Sequence, residues 1–187
     1  MKKSEWVFYS LFQGAKTQLE IAQKWGISLS TVNHALGPLA RLGAIEKRKF
    51  GFRIIDREKA LIYWANMRNL DRDIIYRTHT GSVRNIEKMM PAKAVFTAFS
   101  GYKFRFDDVP ADYSEIYVYA DVETLSEIKK RFPPHDGPTN LIVLATPPIL
   151  ESIKIVSNEL LFVDLWNLKE WYAKEFIQAL RRRMGLE

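Results

Sequence analysis

The chain has 187 residues, a formal net charge of +6, 47% hydrophobic and 27% charged residues, and no cysteine. That length suffices for one sizeable domain or two small ones, and the composition is that of a globular chain. The missing cysteine excludes structural disulfides, iron–sulfur clusters and thiolate zinc sites, and no apolar run approaches the ~20 residues of a membrane span.

The opening MKKSEWVFYSLFQGAKTQLEIA has a short basic head and an apolar run. It lacks a small-residue cleavage site and passes straight into a helical pattern, so no signal peptide is expected. The expectation is a cytoplasmic protein that makes no membrane contact. The charge is unevenly spread. Residues 1–57 hold ten bases (Lys2, Lys3, Lys16, Lys24, Arg41, Lys47, Arg48, Lys49, Arg53 and Arg57) against four acids (Glu5, Glu20, Glu46 and Asp56), and the remainder is balanced. A basic first third joined to a neutral remainder is the electrostatic footprint of a DNA-binding module attached to a second domain.

In chain order, Ser4 to Gln13 is predicted as a helix with Trp6, Val7, Phe8, Leu11 and Phe12 on a wide apolar face, ended by Gly14. Thr17 is the expected N-cap of a second helix, with Glu20 completing a capping box. On it Leu19, Ile21, Ala22 and Trp25 point inward, and Gly26 stops it. Ser28 caps a third helix running to about Arg41, where Val32, Ala35, Leu36, Leu39 and Leu42 recur every three or four residues. Pro38 removes a backbone donor inside that helix, so a bend is expected there.

QLEIAQKWGISLSTVNHAL resembles the helix-turn-helix of bacterial and archaeal transcription regulators. Ala22 stands where the family has a small residue, Gly26 stands at the turn, and Ile21, Trp25, Ile27, Val32 and Ala35 fall on the apolar positions. ARLGAIEKRKFGFRIID then resembles the wing of the winged form: a strand, a basic turn with Gly51, and a return strand. With Val32, Ala35 and Leu36 turned to the core, Ser28, Ser30, Thr31, Asn33 and His34 are left as the candidate DNA contacts of this helix. Their hydroxyl, amide and imidazole groups are able to reach base edges or phosphates. Lys47, Arg48, Lys49 and Arg53 on the wing suit phosphate or minor-groove contacts. The same hydroxyls of Ser30 and Thr31 also suit simple helix capping. One such module covers a half-site, so a homodimer on a two-fold site in double-stranded DNA is expected.

Asp56 to Arg68 is predicted as a linker or dimerisation helix, and Ile74–Thr78 as a strand. Strands are then expected over Val95–Ser100, Tyr102–Phe106, Ile116–Ala120, Leu141–Ala145, Ile153–Val156 and Leu160–Asp164. Val122–Phe132 is predicted as a helix. A final helix is expected from about Leu168 to Met184, with a stripe of Leu168, Trp171, Tyr172, Phe176, Ala179 and Leu180. The alternating aromatics Tyr102, Phe104, Phe106, Tyr117 and Tyr119 are expected to pack on sheet faces.

The segments ALIYWANMRN, AVFTAFSGYKFRF, SEIYVYAD and NELLFVDLWNLKEWYAKEFIQAL, in that order after a winged helix, resemble the AbiEi-like antitoxins and regulators of type IV toxin–antitoxin systems. The resemblance implies a DNA-binding repressor or autoregulating antitoxin whose C-terminal domain binds a protein partner or a small-molecule effector. The expected fold class is α/β (α+β). Residues 1–57 form a winged helix-turn-helix, 58–78 a linker helix and connector, and 79–187 a C-terminal α/β domain with a mixed sheet flanked by helices.

Two alternatives compete with the regulator. One is an antitoxin that neutralises its toxin by protein contact. The other is a nucleotidyltransferase-like enzyme, for which TGSVRN (Thr80 to Asn85) offers a Gly-Ser turn and Asp121 with Glu123 offers paired carboxylates for Mg²⁺. Those carboxylates lie some forty residues beyond Ser82, and Glu123 opens a helix, where the dipole accounts for an acid. His34, His79 and His135 sit on separate elements, and no nucleophile elbow or phosphate-binding loop is present. The expectation is therefore a non-enzymatic regulator that needs no cofactor or metal.

Overall fold

The computed structural model describes residues 1–49, 51–151, 153 and 155–186. The described residues form nine α-helices and two small sheets, divided into two compact units that separate after Arg68.

The first unit runs α1 (Lys3–Phe12), α2 (Gln18–Trp25), α3 (Leu29–Arg41), β1 (Ile45–Arg48), β2 (Gly51–Ile54) and α4 (Arg57–Met67). Local chemistry sets these boundaries. Thr17 Oγ1 accepts from Glu20 N at 3.1 Å, and the Glu20 carboxylate reaches back to Lys16 N at 2.9 Å, one residue before the cap. Gly26 closes α2 in the left-handed region at φ 59°, a conformation that costs a glycine nothing. α3 continues unbroken through Pro38.

Val7, Phe8, Ile21, Val32, Leu36, Leu39 and Leu61 fill the core. Leu19 and Leu42, expected inside, lie 55% and 51% exposed. Leu19 lies in the first turn of α2, and Leu42 is the C-cap just beyond the end of α3.

α4 is no free linker. Its Trp64 is fully buried against Phe8, Tyr9 and Phe12 of α1, and an aromatic side chain so placed is worth about 3–5 kcal/mol. An ion pair lies beside it. The Arg68 guanidinium is 3.6 Å from Glu5, with both side chains almost wholly buried, and Glu5 also accepts from Trp64 Nε1 and from Lys2 N. Burial pushes the Glu5 carboxyl up, against the opposing pull of Arg68.

The second unit holds β3 (Ile74–Thr78), α5 (Val83–Met89), β4 (Val95–Thr97), α6 (Ala98–Phe106), β5 (Ile116–Ala120), α7 (Val122–Arg131), β6 (Leu141–Ala145), α8 (Asn158–Trp166) and α9 (Ala173–Met184). The strand expected as part of the connector, β3, belongs to this unit's sheet. The sheet order is β3-β6-β5-β4, with β5 and β6 parallel and both edge strands antiparallel to their neighbours.

Pleating sends Ile116, Val118, Leu141 and Val143 to one face, where Ile86 of α5 and Ile128 of α7 cover them. Tyr117, Tyr119 and Thr97 point to the other face, against α6, α8 and α9. There Asp164 of α8, fully buried, accepts from Thr97 Oγ1 at 2.8 Å and Tyr119 Oη at 2.6 Å. It lies inside a helix and bonds within its own unit.

Several sequence expectations fail in this unit. Residues 98–106 form α6 rather than two strands, so Tyr102, Phe104 and Phe106 are helical. Residues 158–166 form α8 rather than a strand, with Ser157 as its cap. Every residue from Glu159 to Leu165 is buried, and a helix covered on all sides shows no amphipathic stripe, so its apolar run cannot be told from a buried strand by periodicity. The final helix starts at Ala173, and Trp171 is 77% exposed rather than part of a buried stripe. The strand expected over Ile153–Val156 falls partly on residues outside those described. Ile153, Ile155 and Val156 themselves lie outside any strand. No helix among the described residues is long and apolar enough to cross a membrane.

Candidate nucleic-acid interface

The start of α3 presents the predicted polar group. Ser28, Ser30, Asn33 and His34 are exposed and Thr31 is half-buried, while Val32, Ala35 and Leu36 on the opposite side are in the core. Ser28 serves the helix itself: its hydroxyl accepts from Thr31 N at 3.1 Å and lies 2.9 Å from Thr31 Oγ1. Ser28 is thus the cap of α3, as the sequence predicts, with Thr31 as its partner, and Ser30 takes no part in the cap hydrogen bond. Ser30, Asn33 and His34 carry the open polar surface. Leu29, 48% exposed on the same first turn, adds an apolar group that the sequence reading passed over.

The ribbon β1–β2 pairs Ile45 with Ile54, Glu46 with Arg53, Lys47 with Phe52 and Arg48 with Gly51. Residues directly opposite share a face, so Ile45 and Phe52 are buried on one face while Glu46, Arg48 and Arg53 share the other. Lys47, at the far end of the inner face, and Lys49, in the turn, are both exposed.

The ribbon is tied to the helices at two places. Ala44 N donates to Leu39 O at 2.9 Å, which fixes its base to α3. Phe52 N donates to Lys16 O at 3.0 Å, which fixes β2 to the segment between α1 and α2. Gly51 is required at this second contact. Its φ is +141°, and a Cβ there would stand 2.1 Å from Lys16 O.

Glu46 is the residue the sequence reading missed. Its carboxylate accepts from Arg48 Nε at 2.9 Å and from Arg53 Nη2 at 3.4 Å. Those two guanidinium groups, Arg48 first, hold the carboxyl below the usual carboxylate range. Two of the four basic ribbon side chains are thus paired internally. The signal was present in the sequence as the i, i+2 spacing of Glu46 and Arg48 on one strand, but the cross-strand approach of Arg53 depends on the register.

The nucleotidyltransferase motifs do not converge. Gly81 and Thr80 are tethered by the Asn140 side chain, just before β6 begins. Asp121 follows the end of β5, where it accepts from Thr124 N at 2.7 Å as the cap of α7. Because β5 and β6 run parallel, the two motifs lie at opposite ends of the strands, roughly 16 Å apart along five residues. Glu123 pairs with Lys93 at 3.2 Å. The rings of His79 and His135 do come together, with centroids 5.9 Å apart, but among the described residues no group of three or more His, Asp or Glu is placed to hold a metal ion.

No protein-family model, curated protein or solved structure gives a significant match to the chain.

Proposed function

We propose that this protein is a sequence-specific regulator of transcription that binds double-stranded DNA through a winged helix-turn-helix in its first unit and acts as a repressor or autoregulator. The observation that carries the reading is the coexistence, in one compact unit, of a polar helix start and a basic ribbon tied to α3 and to the segment between α1 and α2. Met1–Arg68 holds twelve bases and five acids, and the rest of the chain holds sixteen and seventeen. Cationic groups on the ribbon supply sequence-independent phosphate contacts, and Asn33, His34, Ser30 and Thr31 supply base contacts in the major groove. The pairing of Phe52 with Lys16 supports the wing assignment, because it gives the ribbon a fixed attitude toward the helices. The second unit then serves dimerisation or the binding of an effector or partner, in keeping with the resemblance to the AbiEi-like regulators, and the protein works in the cytoplasm.

The test is selection of bound fragments from the source genome at low and at moderate salt, followed by variants on the selected site. An enriched, roughly palindromic motif near a promoter is expected. Asn33→Ala and His34→Ala are expected to cost about 1–3 kcal/mol at particular bases, while Lys47→Ala weakens all sequences alike and flattens the salt dependence. Equal losses on selected and random DNA for the α3 variants would overturn the assignment of base reading to that helix.

A further inference from the structure

The connection between α7 and β6 folds over the end of β3, and each of the two segments carries a histidine. The hydroxyl of buried Thr78 clamps them together: it donates to Pro133 O at 3.0 Å and accepts from His135 N at 3.0 Å. His79 N donates to His135 O at 3.4 Å. The Asn140 side chain holds Thr80 and Gly81 from the other end of the connection. Between them lies a cleft of about 260 Å³, lined by His79, Thr80, Gly81, Pro133 and His135.

The His79 ring is fixed on two sides. Its Nδ1 lies 2.7 Å from Pro138 O. A carbonyl only accepts, so the proton of the neutral ring stands on Nδ1 and the lone pair on Nε2. Metal-ligating histidines are held in this way, with the other ring N–H on a carbonyl or carboxylate. Gly137 covers a second edge. Its φ is +150°, and a Cβ there would stand 2.9 Å from His79 Cγ and 3.0 Å from Cδ2, so the connection closes on this ring only with glycine. With Nδ1 bonded and the Cγ–Cδ2 side covered, Nε2 and Cε1 form the open edge of this half-buried ring.

His135 is exposed, and no hydrogen bond among the described residues fixes its ring, so either nitrogen is able to turn toward a shared ion. Two imidazoles on one ion, each with a nitrogen about 2.0–2.1 Å from the metal, hold their ring centroids roughly 5–6 Å apart. The centroids of His79 and His135 are 5.9 Å apart.

We propose that this cleft binds one divalent transition-metal cation of the class that imidazole suits, Zn²⁺, Ni²⁺ or Cu²⁺, through Nε2 of His79 and a ring nitrogen of His135. Among the described residues no group of three or more His, Asp or Glu is placed to hold a metal ion, so waters fill the other positions. At about 30 Å³ each, the cleft has room for them. The ion ties the connection after α7 to β3, the edge strand of the sheet. Mg²⁺ and Ca²⁺, which seek oxygen ligands, are refused. The inference stands on the second unit and is measured without DNA, so it and the regulator reading fail independently.

The experiment is calorimetric titration of the full chain with zinc chloride, and with magnesium chloride as the control. Saturable one-to-one binding of Zn²⁺ and none of Mg²⁺ is expected. Binding should weaken at about pH 5, where protons compete for imidazole. Loss of an outer partner alone costs a metal site about 10–100-fold, so loss of a ligand should cost at least about ten-fold. His135→Ala removes a ring that makes no hydrogen bond. His79→Asn keeps an amide N–H for Pro138 O but has no Nε2. NMR of the imidazole nitrogens in the unaltered chain gives a readout that does not depend on a variant folding. The ring nitrogens of His79 and His135 are expected to shift on Zn²⁺ titration, and the methyl of Ala145, at the far end of β6, to stay. No saturable Zn²⁺ binding, equal binding of Mg²⁺, undiminished binding in His135→Ala and His79→Asn, or shifts that bypass His79 and His135 would each overturn the proposal.

Discussion

Glu46 sits among the ribbon's cations with its carboxylate on two of them, at 2.9 Å from Arg48 and 3.4 Å from Arg53. If the ribbon binds phosphate, Glu46 is an internal competitor for the same guanidinium groups. Glu46→Gln keeps the side chain's shape and removes its charge. Each arginine thereby released displaces one condensed counterion, which steepens the slope of log K against log salt by about 0.9 per new phosphate contact. With two arginines released the slope should steepen by between about 0.9 and 1.8. Affinity should rise several-fold at low salt, and the gain should vanish near 1 M salt, where the screening length falls to about 3 Å. Fluorescence anisotropy with a labelled duplex across a salt series measures both quantities. Arg48→Ala and Arg53→Ala made in the Glu46→Gln background should each return part of the slope. A slope that is unchanged or shallower in Glu46→Gln, or a loss of affinity at low salt, would refute the assignment of the outer ribbon face to DNA.

Two further predictions concern the buried polar groups. Asp164→Ala removes the acceptor of two hydroxyls in a fully buried site, Thr97 and Tyr119. At about 1–3 kcal/mol for each orphaned donor, the second unit should lose roughly 2–6 kcal/mol, seen as faster amide exchange along β5, whereas Asp164→Asn, which retains an acceptor oxygen, should cost much less. In the first unit, Glu5→Leu strips Lys2 N, Trp64 Nε1 and Arg68 of an acceptor and should cost about 3–5 kcal/mol, and the double variant Glu5→Leu/Arg68→Leu should recover only the part that comes from the buried Arg68 charge. The Glu5 carboxyl is raised in the fold. Its contribution to stability is therefore fully present below the ordinary glutamate range and is lost as pH climbs through the raised value. Melting curves of the unaltered chain and Glu5→Gln should accordingly diverge across that window, with the unaltered chain gaining on the variant as pH falls; a pH-independent difference would contradict it.

Much of the first unit could be reasoned from local chemistry. The caps at Thr17 and Ser28, the left-handed Gly26 and the three-and-four spacing on α3 are each decided within a few residues, and all appear in the fold. The exposure of Ser30, Asn33 and His34 follows from the same periodicity, since one face of α3 must bury Val32, Ala35 and Leu36. In the second unit the strands β3, β5 and β6 and the helix α7 were equally legible, because β-branched runs bounded by turn residues, or a clear apolar stripe, mark each one.

Tertiary structure decided the rest. AFSGYKFRF alternates aromatic and basic residues like a strand, yet it is a helix packed between the sheet and α8 and α9, and α8 is buried all round. Periodicity carries no information where every face is covered. Trp64 and the Glu5–Arg68 pair join residues some sixty positions apart, and so turned the expected linker helix into part of the first unit's core. The hold of Glu46 on Arg53 rests on the ribbon's register, and the pairing of Tyr117 with Glu170 joins β5 to a distant connection. The sequence by itself determined which residues are basic, which helix starts polar and where the caps fall, because those depend on chemical identity and short-range geometry. Which charges are already satisfied, and which two histidines meet, depends on contacts between residues far apart in the chain, and only the folded structure brings those together.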